Sequence, residues 1–451
     1  MLIVLGIAVL SIAVLCVLVR YIGLRTRNGR LRATVVVLGD VERSPRIRRQ
    51  AVELVDDDWE VTLVGYIEPG SKLKDGDSID GFTLRNAPYG FVVRARGIMY
   101  FALAGLAAIY RAFALLVLLF RLPVQDIFLI QNPPCIPTFL VVIIVMAIRH
   151  PRASLVIDWH NLAYTIMSSN PRVPAAAVRL AEVYEQVFSH FADAHFSVTN
   201  ALASFLHRSF GIKNVAVLPD RPSTIFRPGL ALPESLRCSL GNDLMDGRGA
   251  LAITSTSWTP DENFSVLLHA LPLIDRQLCA PAGKRHMPSS LTILITGKGP
   301  LRSQFEEKLS SLSLRRVTVK TVWLRYEDYV ACLSASDFGI SFHFSSSGLD
   351  LPMKALDMLG CGLPVLSPSY PSVSELIEDG RNGLLFKTPV ELAEHITMLL
   401  SDWPKGEVLN SLKKTAEGWF AEPQDKWRPT WLATARPILR GLVEEKTLKG
   451  S

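Results

Sequence analysis

The feature that most constrains the fold is a regular alternation of short β-branched runs with longer helical stretches after residue 32. This alternation predicts βαβ units and mostly parallel sheets. The runs are residues 34–38, 61–64, 127–130, 155–157, 196–198 and 215–218 in the first half, then 251–254, 291–296, 317–322, 338–341 and 365–366. The sequence therefore predicts two Rossmann-like α/β domains facing a cleft, and assigns these boundaries: domains at 33–226 and 250–405, a linker at 227–249 and a helical tail at 406–451.

The composition favours a membrane-tethered globular protein. Hydrophobic residues make up 49% of the chain and charged residues 20%. The net charge of +6 favours anionic partners, which are phosphates, acidic lipid head groups or nucleic acid. No nucleic-acid-binding module is recognisable, so we expect no nucleic acid partner. The six cysteines are scattered, which predicts reduced thiols and no Cys-based metal site.

An uncharged apolar run at residues 2–19 precedes several arginines, beginning with Arg20. The run is close to the ~20 residues that a membrane-spanning helix needs, and it lacks the charge order of a signal peptide. We therefore predict a transmembrane anchor at 1–20, with the rest of the chain in the cytosol. Two further apolar stretches, 98–120 and 136–148, fit either helices lying in the membrane interface or buried core helices.

Candidate ligand residues follow the strands, because ligands of doubly wound sheets bind at the carboxyl ends of the strands. The first strand runs into Gly39, then Ser44 and Pro45, which suit a helix start, and then Arg46. Arginines at a helix N-terminus oppose the helix dipole, which favours an anion bound there. The alternative is a solvated basic face near a membrane.

Two later strand ends suit carbohydrate. Asn132 lies in a proline-held loop, where its amide can bind a sugar hydroxyl, and Asp158 to Asn161 surround Trp159 with polar groups. An indole ring can stack on a sugar while Asn161 and its neighbours bind hydroxyls. If the chain transfers a sugar with inversion, it also needs a base that takes the proton of the attacking hydroxyl, and Asp158 and His160 are the candidates. The alternative is that Asp158 caps a helix and His160 is structural.

The second half carries the residues that are candidates for binding the phosphates and ribose of a nucleotide. Gly297, Lys298 and Gly299 follow a strand, where glycines admit a ligand and the lysine suits phosphate, although a Gly-Lys-Gly turn is common. A more specific loop leads into a helix and offers N–H groups and hydroxyls to a diphosphate. Its residues are Ser345, Ser346, Ser347 and Gly348. Asp350 is predicted near the helix N-cap, and Asp357 lies two helical turns further on. A carboxylate at that place can accept hydrogen bonds from the hydroxyls of a ribose. The alternative is that Asp350 only caps the helix and that Asp357 is a surface charge.

Together these segments resemble the chitobiosyldiphosphodolichol β-mannosyltransferase family of asparagine-linked glycosylation, whose members are GT-B glycosyltransferases. The matching segments are residues 38–40, 43–46, 131–134, 157–161, 198–200, 255–262, 295–300 and 345–354. One departure concerns the ribose site. Many nucleotide-sugar GT-B enzymes carry two glutamates separated by seven residues, whereas Asp350 and Asp357 are separated by six; we favour Asp357 as the ribose ligand.

The resemblance implies transfer of mannose from GDP-mannose to GlcNAc₂-diphosphodolichol, with inversion and a β1,4 linkage, at the cytosolic face of the endoplasmic reticulum membrane. It implies no metal or other cofactor, and as partners the two substrates, membrane lipid and other glycosyltransferases of the pathway. Two other functions stay open: a different lipid-linked GT-B transferase, and a non-catalytic scaffold that binds polyprenyl-diphosphate sugars.

Overall fold

The computed structural model describes residues 29–68, 71, 73–87, 98–171, 173–240, 242–260, 262–280 and 286–448. The predicted anchor at 1–20 lies outside these residues. Within the described part of the chain, no helix combines the length and apolarity needed to cross a bilayer. The cysteines Cys135, Cys279, Cys332 and Cys361 are free thiols.

The described chain forms two compact units. The first contains residues up to 198, residues 202–218 and the chain from Trp431 on, and the second contains residues 199–201 and 219–430. The division therefore falls at residue 218 rather than at 226. Residues 227–249 lie within the second unit and carry two short helices instead of an open linker. The predicted tail is also not one piece, because it is split between the units at Trp431.

The first unit is built on an eight-stranded sheet in the order β3-β4-β2-β1-β5-β6-β7-β8, in which only β3 is antiparallel to its neighbour. Its strands are β1 (Arg32–Asp40), β2 (Glu60–Tyr66), β3 (Ser78–Ile79), β4 (Phe82–Asn86), β5 (Ile127–Asn132), β6 (Ser154–Trp159), β7 (Ala194–Ser197) and β8 (Val215–Val217). In the sheet centre Val35 pairs with Leu63 on one side and Leu129 on the other, and all three are fully buried. Burial on both faces explains why these strands read as continuous apolar runs.

Helices connect these strands. They are α1 (Pro45–Asp56), α2 (Ile98–Phe120), α3 (Thr138–Arg149), α4 (Ala163–Ser168), α5 (Ala175–Ser189) and α6 (Asn200–Phe205), which continues as a π-helical turn at Leu206–Phe210. The two apolar stretches of uncertain role form α2 and α3. Each has a buried side, as at Leu119 and Val142, and an exposed apolar side, as at Phe113 and Leu140. Core packing therefore accounts for only one side of each helix.

The second unit contains a parallel six-stranded sheet in the order β11-β10-β9-β12-β13-β14. Its strands are β9 (Ala250–Ser255), β10 (Leu291–Thr296), β11 (Val317–Val322), β12 (Phe338–Ile340), β13 (Val365–Pro368) and β14 (Gly383–Phe386). Its helices are α7 (Glu234–Leu240), α8 (Asn242–Met245), α9 (Ser265–Cys279), α10 (Arg302–Ser310), α11 (Tyr326–Ala335), α12 (Met353–Gly360), α13 (Pro389–Leu400) and α14 (Glu407–Trp419). Large apolar clusters pack on both faces of this sheet.

The last helix, α15 (Trp427–Leu448), belongs from Trp431 on to the first unit. Trp431 is fully buried there, and its indole N–H donates to Gln50 at 3.3 Å. Arg440 donates to the Asp57 carboxylate at 2.8 Å, directly after α1 ends. These contacts explain why the end of the chain packs against a helix near its beginning.

Candidate active site

Both sheets reverse their strand order at one point, and the predicted ligand residues follow strands at or beside that point. Apart from the edge strand β3, each sheet begins in the order third, second, first, fourth, and the reversal lies between β1 and β5 in the first unit and between β9 and β12 in the second. Ligands of doubly wound sheets bind at such switch points, outside the carboxyl ends of the strands.

Asp158 is the centre of a buried polar cluster at the end of β6. Its side chain has no exposed surface and accepts from Arg46 Nε and Nη2, both at 2.8 Å, and from Gln50 Nε2, also at 2.8 Å. His160 Nε2 lies 3.0 Å from the same carboxylate. Four donors on one carboxylate fix its position and stabilise its charged form.

These contacts give the two predicted bases, Asp158 and His160, different surroundings. Burial alone would raise the pKa of Asp158, but the charges of Arg46 and His160 and their hydrogen bonds lower it well below its ordinary value. A carboxylate that is ionised at every physiological pH accepts a proton poorly. Asp158 also has no surface for a substrate to contact. We therefore correct its predicted role from base to positioning residue.

His160 is the partly exposed member of this pair, with 24% of its side chain accessible. When Nε2 carries the proton that it donates to Asp158, Nδ1 keeps its lone pair. Nδ1 has no hydrogen-bond partner among the described residues. A carboxylate that orients an imidazole is the arrangement in which histidine acts as a general base.

Asn132 and Asn161 are buried and bonded within the protein. Asn132 has no exposed surface, and its Nδ2 donates to Glu185 at 2.5 Å and to the carbonyl of Asn161 at 3.3 Å. The side chain of Asn161 accepts from the N–H of Leu162 at 2.7 Å. The two amides hold the loops after β5 and β6, and Oδ1 of Asn132 is left buried without a hydrogen-bond partner among the described residues. Burial counts against the sugar contact predicted for Asn132, and the contact predicted for Asn161 stays a prediction.

Trp159 is turned into the core of the first unit and not toward a surface where a sugar could stack on it, contrary to the prediction. The side chain is fully buried, its N–H donates to His195 Nδ1 at 3.0 Å, and its ring packs edge-on against Phe139 and Phe210. Alternation along β6 turns Trp159 away from Asp158 and toward the helices. Its role is to support the strand end that carries His160.

The arginine-rich turn is also only partly available to an anion. Arg46 is buried, and Asp158 neutralises its charge, so we correct its predicted role as a ligand of an anion such as the acceptor diphosphate. Arg43 remains largely exposed beside Asp40 at 3.3 Å. Gly39 is not in a turn but within β1, where the register with β2 shifts between Val36 and Asp40.

In the second unit, Gly297 and Gly299 lie against the segment after β9. A Cβ added at Gly297 would lie 1.8 Å from the carbonyl oxygen of Thr256, and one at Gly299 would lie 1.8 Å from that of Ser257. Gly297 also has a φ of +152°, which side chains rarely adopt. Both glycines are therefore required by a close approach of two loops, whatever ligand binds beside them.

Glu262 and Lys354 form an ion pair beside the segment after β9. Sequence reasoning did not select either residue as a ligand. Glu262 is buried and accepts from the hydroxyl of Thr256 at 2.6 Å and from the N–H of Ser257 at 2.8 Å. The ammonium of Lys354 contacts the other Glu262 oxygen and lies 3.4 Å from the Ser257 hydroxyl. Both residues lie in segments that carry the family resemblance, but 92 positions apart, so spacing could not pair them.

Lys298 is exposed beside an exposed tryptophan. Its ammonium lies 4.3 Å from the ring centroid of Trp323, which follows β11 and is 59% accessible. A cation over an indole face gains a modest stabilisation that leaves its hydrogens available. The ammonium of Lys298 is therefore available to an anion, and its predicted contact with phosphate stays a prediction.

The Ser345–Gly348 loop is held by its own hydroxyls. Ser345 is buried, accepts from the N–H of Gly348 at 2.8 Å and donates to Asp350. Ser347 accepts from the N–H of Leu349 at 3.1 Å, and Gly348 has a φ of +72°. Among the predicted hydroxyls, those of Ser345 and Ser347 thus shape the loop. The diphosphate contact predicted for Ser346 stays a prediction.

The two aspartates do not share one helix. Helix α12 begins at Met353 after Pro352, so Asp350 is not its N-cap, and Asp350 instead accepts from Ser345 and from His343 Nε2 at 3.3 Å. Asp350 lies two residues before the N-cap, Pro352, which agrees with its predicted place near the cap. The predicted common face with Asp357 is corrected, because Asp350 precedes the helix. Asp357 lies within α12, half-buried, and its charge contributes, after burial, to a raised pKa of Tyr329. Its contact with ribose stays a prediction.

Among the described residues, no group of three or more histidine, cysteine or acidic side chains is arranged to hold a metal ion.

Comparison with known proteins places these sites in a family. Residues 249–402 match the family model "Glycosyl transferases group 1". "UDP-glycosyltransferase TURAN" of Arabidopsis thaliana is 35% identical, covering 92% of this chain and 98% of that protein. The chitobiosyldiphosphodolichol β-mannosyltransferase of Yarrowia lipolytica is also 35% identical, covering 91% of this chain and 86% of that protein.

Among solved structures, sucrose-phosphate synthase from Thermosynechococcus elongatus matches with a TM-score of 0.66 at 12% identity, covering 94% of this chain and all of that one. At this identity the match shows the fold alone, which is the GT-B fold with two Rossmann-like sheets. Homology over nine-tenths of the sequence is the stronger finding. The chain is a glycosyltransferase and belongs to the chitobiosyldiphosphodolichol β-mannosyltransferase family.

Proposed function

We propose that this enzyme transfers mannose from GDP-mannose to GlcNAc₂-diphosphodolichol, with inversion, to form a β1,4 linkage. The name of the Yarrowia relative supports the acceptor and the β-mannosyl product. The observation in this chain that carries the proposal is the Asp158–His160 pair, at 3.0 Å, with Nδ1 of His160 open to a substrate. An inverting transfer needs such a base.

The chemical step balances with one proton acceptor. The C4 hydroxyl oxygen of the terminal GlcNAc attacks the anomeric carbon of mannose as the bond from that carbon to the diphosphate oxygen breaks. The transition state resembles an oxocarbenium ion, and GDP departs from the opposite face. The hydroxyl proton passes to Nδ1 of His160, whose positive charge Asp158 then stabilises.

The second unit supplies the donor site in this proposal. Lys298 and Lys354 offer two cations to the diphosphate, while N–H groups of the Ser345–Gly348 loop offer donors. Asp357 is proposed to accept hydrogen bonds from ribose. Lys354 is the addition to the predicted set, supported by its position beside Ser257 and Glu262. We propose that no metal or other cofactor takes part.

A second donor class deserves a direct comparison, because the Arabidopsis relative is named a UDP-glycosyltransferase. A UDP-sugar would use the same cations and loop, so these residues do not distinguish the two nucleotides. The experiment below therefore includes both.

We also propose that the enzyme works at the endoplasmic reticulum membrane, held by a single anchor and with both units in the cytosol. Exposed apolar side chains on α2 and α5 support this location. Leu106, Ile109 and Phe113 are exposed along α2, and Leu180 and Val187 along α5. Apolar patches of this kind mark contact surfaces for proteins or membranes.

The test is transfer of labelled mannose from GDP-mannose to GlcNAc₂-diphosphate-phytanyl by the full-length protein, followed by β-mannosidase digestion. A digestible Man-GlcNAc₂ product is expected, and EDTA should leave its rate unchanged. UDP-glucose and UDP-GlcNAc serve as competing donors. Transfer from a UDP-sugar alone would replace the proposed donor, and a product resistant to β-mannosidase would refute the stereochemistry.

A further inference from the structure

A cavity of about 510 Å³ in the first unit is lined by none of the residues assigned above to the base or to the donor site. It lies between one face of α2 and the end of β4. Its volume is in the range of pockets that hold small organic ligands. Its two sides differ sharply in chemistry, and this difference identifies the kind of ligand.

The α2 side is apolar and follows helical spacing. Tyr110, Phe113, Ala114, Val117 and Leu118 line the cavity at intervals of three and four residues. A different stripe of the same helix, including Leu115 and Leu119, is buried in the protein. Helix α2 therefore has a second apolar face that its own fold does not cover.

The other side is charged. Arg85, from β4, and Arg121, directly after α2, line the cavity together with Asp75. Arg85 Nη1 lies 3.6 Å from the Asp75 carboxylate, which also accepts from the N–H of Asn86 at 2.8 Å. The Arg121 guanidinium has no hydrogen-bond or ion-pair partner among the described residues. Because Asp75 offsets the charge of only one of the two arginines, this side of the cavity has a net positive charge.

The cavity is continuous with an exposed apolar stripe. Phe113 lines the cavity and is 66% accessible, and Ile109 and Leu106 extend the stripe toward the N-terminus of α2. A hydrocarbon chain could thus pass along α2 without leaving apolar surface. A soluble anion such as a nucleotide would use the arginines but gain nothing from this stripe.

We propose that this cavity binds a lipid phosphate. Arg85 and Arg121 bind the phosphate oxygens, since guanidinium groups match phosphate geometry, and the α2 face receives the hydrocarbon. This site adds a lipid contact to the proposed sugar transfer; where the lipid is the acceptor, the inference rests on the proposed function. The same chemistry occurs in a polyprenyl phosphate, as in the acceptor, and in a phospholipid of the bilayer.

The experiment is photolabelling of full-length protein in detergent by a diazirine-bearing alkyl phosphate, with the labelled peptide identified by mass spectrometry. Labelling is expected within residues 106–122. Phytanyl phosphate and dioctanoyl phosphatidic acid should compete, whereas dioctanoylglycerol, which lacks phosphate, should compete far less. Stronger competition by phytanyl phosphate assigns the site to the acceptor lipid, and stronger competition by phosphatidic acid assigns it to the bilayer.

Two variants separate charge from shape. Arg121→Gln should lower the affinity of phytanyl phosphate and of dioctanoyl phosphatidic acid roughly fivefold, as expected for the loss of one cation near an anionic lipid. Ala114→Phe should fill the cavity and abolish labelling. Arg179→Gln and Ala176→Phe, on exposed positions of α5, are the matched controls and should change nothing.

Thermal unfolding and GDP binding establish that each variant is folded. Labelling that persists in folded Ala114→Phe, or equal competition by dioctanoylglycerol, would overturn the proposal. Because the readout is lipid binding, failure here would leave the proposed transfer reaction standing, and loss of transfer would leave this site standing.

Discussion

At the residue scale, the proposed reaction depends on one nitrogen atom, Nδ1 of His160. Removing it with His160→Ala should lower kcat by about 10² to 10⁴, the range typical of a general base, while GDP affinity stays unchanged. Transfer assays and calorimetric GDP titration measure the two quantities. Added imidazole should restore part of the activity. A wild-type kcat in this variant would remove His160 from the mechanism.

Asp158 should behave differently from His160 because it also holds a buried charge. Asp158→Asn leaves the guanidinium of Arg46 buried without its counter-ion. Breaking a buried ion pair in this way typically costs about 3–5 kcal/mol of unfolding free energy. We therefore expect loss of both activity and stability here, against loss of activity alone in His160→Ala.

Lys354 is the donor-site residue whose role is most sharply testable. Lys354→Ala should weaken GDP binding about tenfold or more, as expected for a charge-assisted contact to phosphate, and leave guanosine binding unchanged. Lys413→Ala is the matched control, since Lys413 is a similarly exposed, ion-paired lysine of the same unit, bound to Asp337 at 2.8 Å. Equal weakening of GDP and guanosine would instead indicate a general distortion of the unit.

Two buried histidines make stability depend on pH. Burial, together with the charge of Arg149, lowers the pKa of His150 to about 4, and burial, with His190, lowers the pKa of His195 to about 4. In the unfolded chain both titrate near 6.5. As pH falls from about 6.5 toward 4, the unfolded state binds protons that the folded state excludes. Each histidine should therefore cost up to about 3 kcal/mol of unfolding free energy across this window.

Chemical denaturation at several pH values checks this prediction. His195→Gln keeps an acceptor for the indole N–H of Trp159 and should flatten the loss of stability between pH 6.5 and 5. His269→Gln, at an exposed position of α9, should leave the curve as it is. Identical slopes in the wild type and His195→Gln would contradict the assignment.

At the element scale, the loop after β10 depends on its close approach to the segment after β9. In Gly299→Ala the new Cβ would meet the carbonyl oxygen of Ser257 at 1.8 Å, so one loop must move. We expect GDP binding to weaken at least tenfold, with a loss of about 1–3 kcal/mol in stability. Gly418→Ala, in α14 and open to space, is the control and should be neutral or slightly stabilising. Calorimetry and thermal unfolding report both effects.

Strand β10 could be predicted from sequence because all of its residues are buried, which gives a nearly continuous apolar run. Strand β11 lies at the edge of the sheet and is mostly half-buried, but it keeps a β-branched run. Residues 291–296 and 317–322 were predicted with the bounds that the structure has for β10 and β11. Strands β3, β4 and β14 were not predicted. Strand β3 has only two residues and no buried side chain, and β4 alternates with polar residues up to an exposed end. Strand β14 contains no β-branched residue, which is the signal by which the other strands were predicted.

The candidate site was predicted at the level of loops but not of individual side chains. Strand ends indicated that residues 158–161 are important, yet four donors converge on Asp158 from α1 and from His160, and no local pattern encodes that convergence. Burial of Trp159 and Asn132 was missed for the same reason. Composition indicates which side chains can bind a sugar, but only packing decides which of them face solvent.

At the scale of the whole molecule, the chain contains two units with separate sheets and separate predicted roles. The segments that carry the donor residues, 255–262, 296–299 and 341–357, all belong to the second unit, whereas His160 belongs to the first. Only homology over most of the chain joins the two roles into one enzyme. Hydrogen exchange measured in each unit, with and without nucleotide, therefore tests whether the two roles belong to different units.

GDP should stabilise the second unit selectively. A ligand present at 100 times its Kd raises the unfolding free energy of what it binds by about 2.7 kcal/mol. Hydrogen exchange with mass spectrometry should show slower exchange at 255–262, 296–299 and 341–357 on adding GDP, and little change at 155–161. Lys354→Ala should reduce that protection. Protection confined to the first unit would reverse the assignment of donor and acceptor roles, because the nucleotide would then bind beside the proposed base.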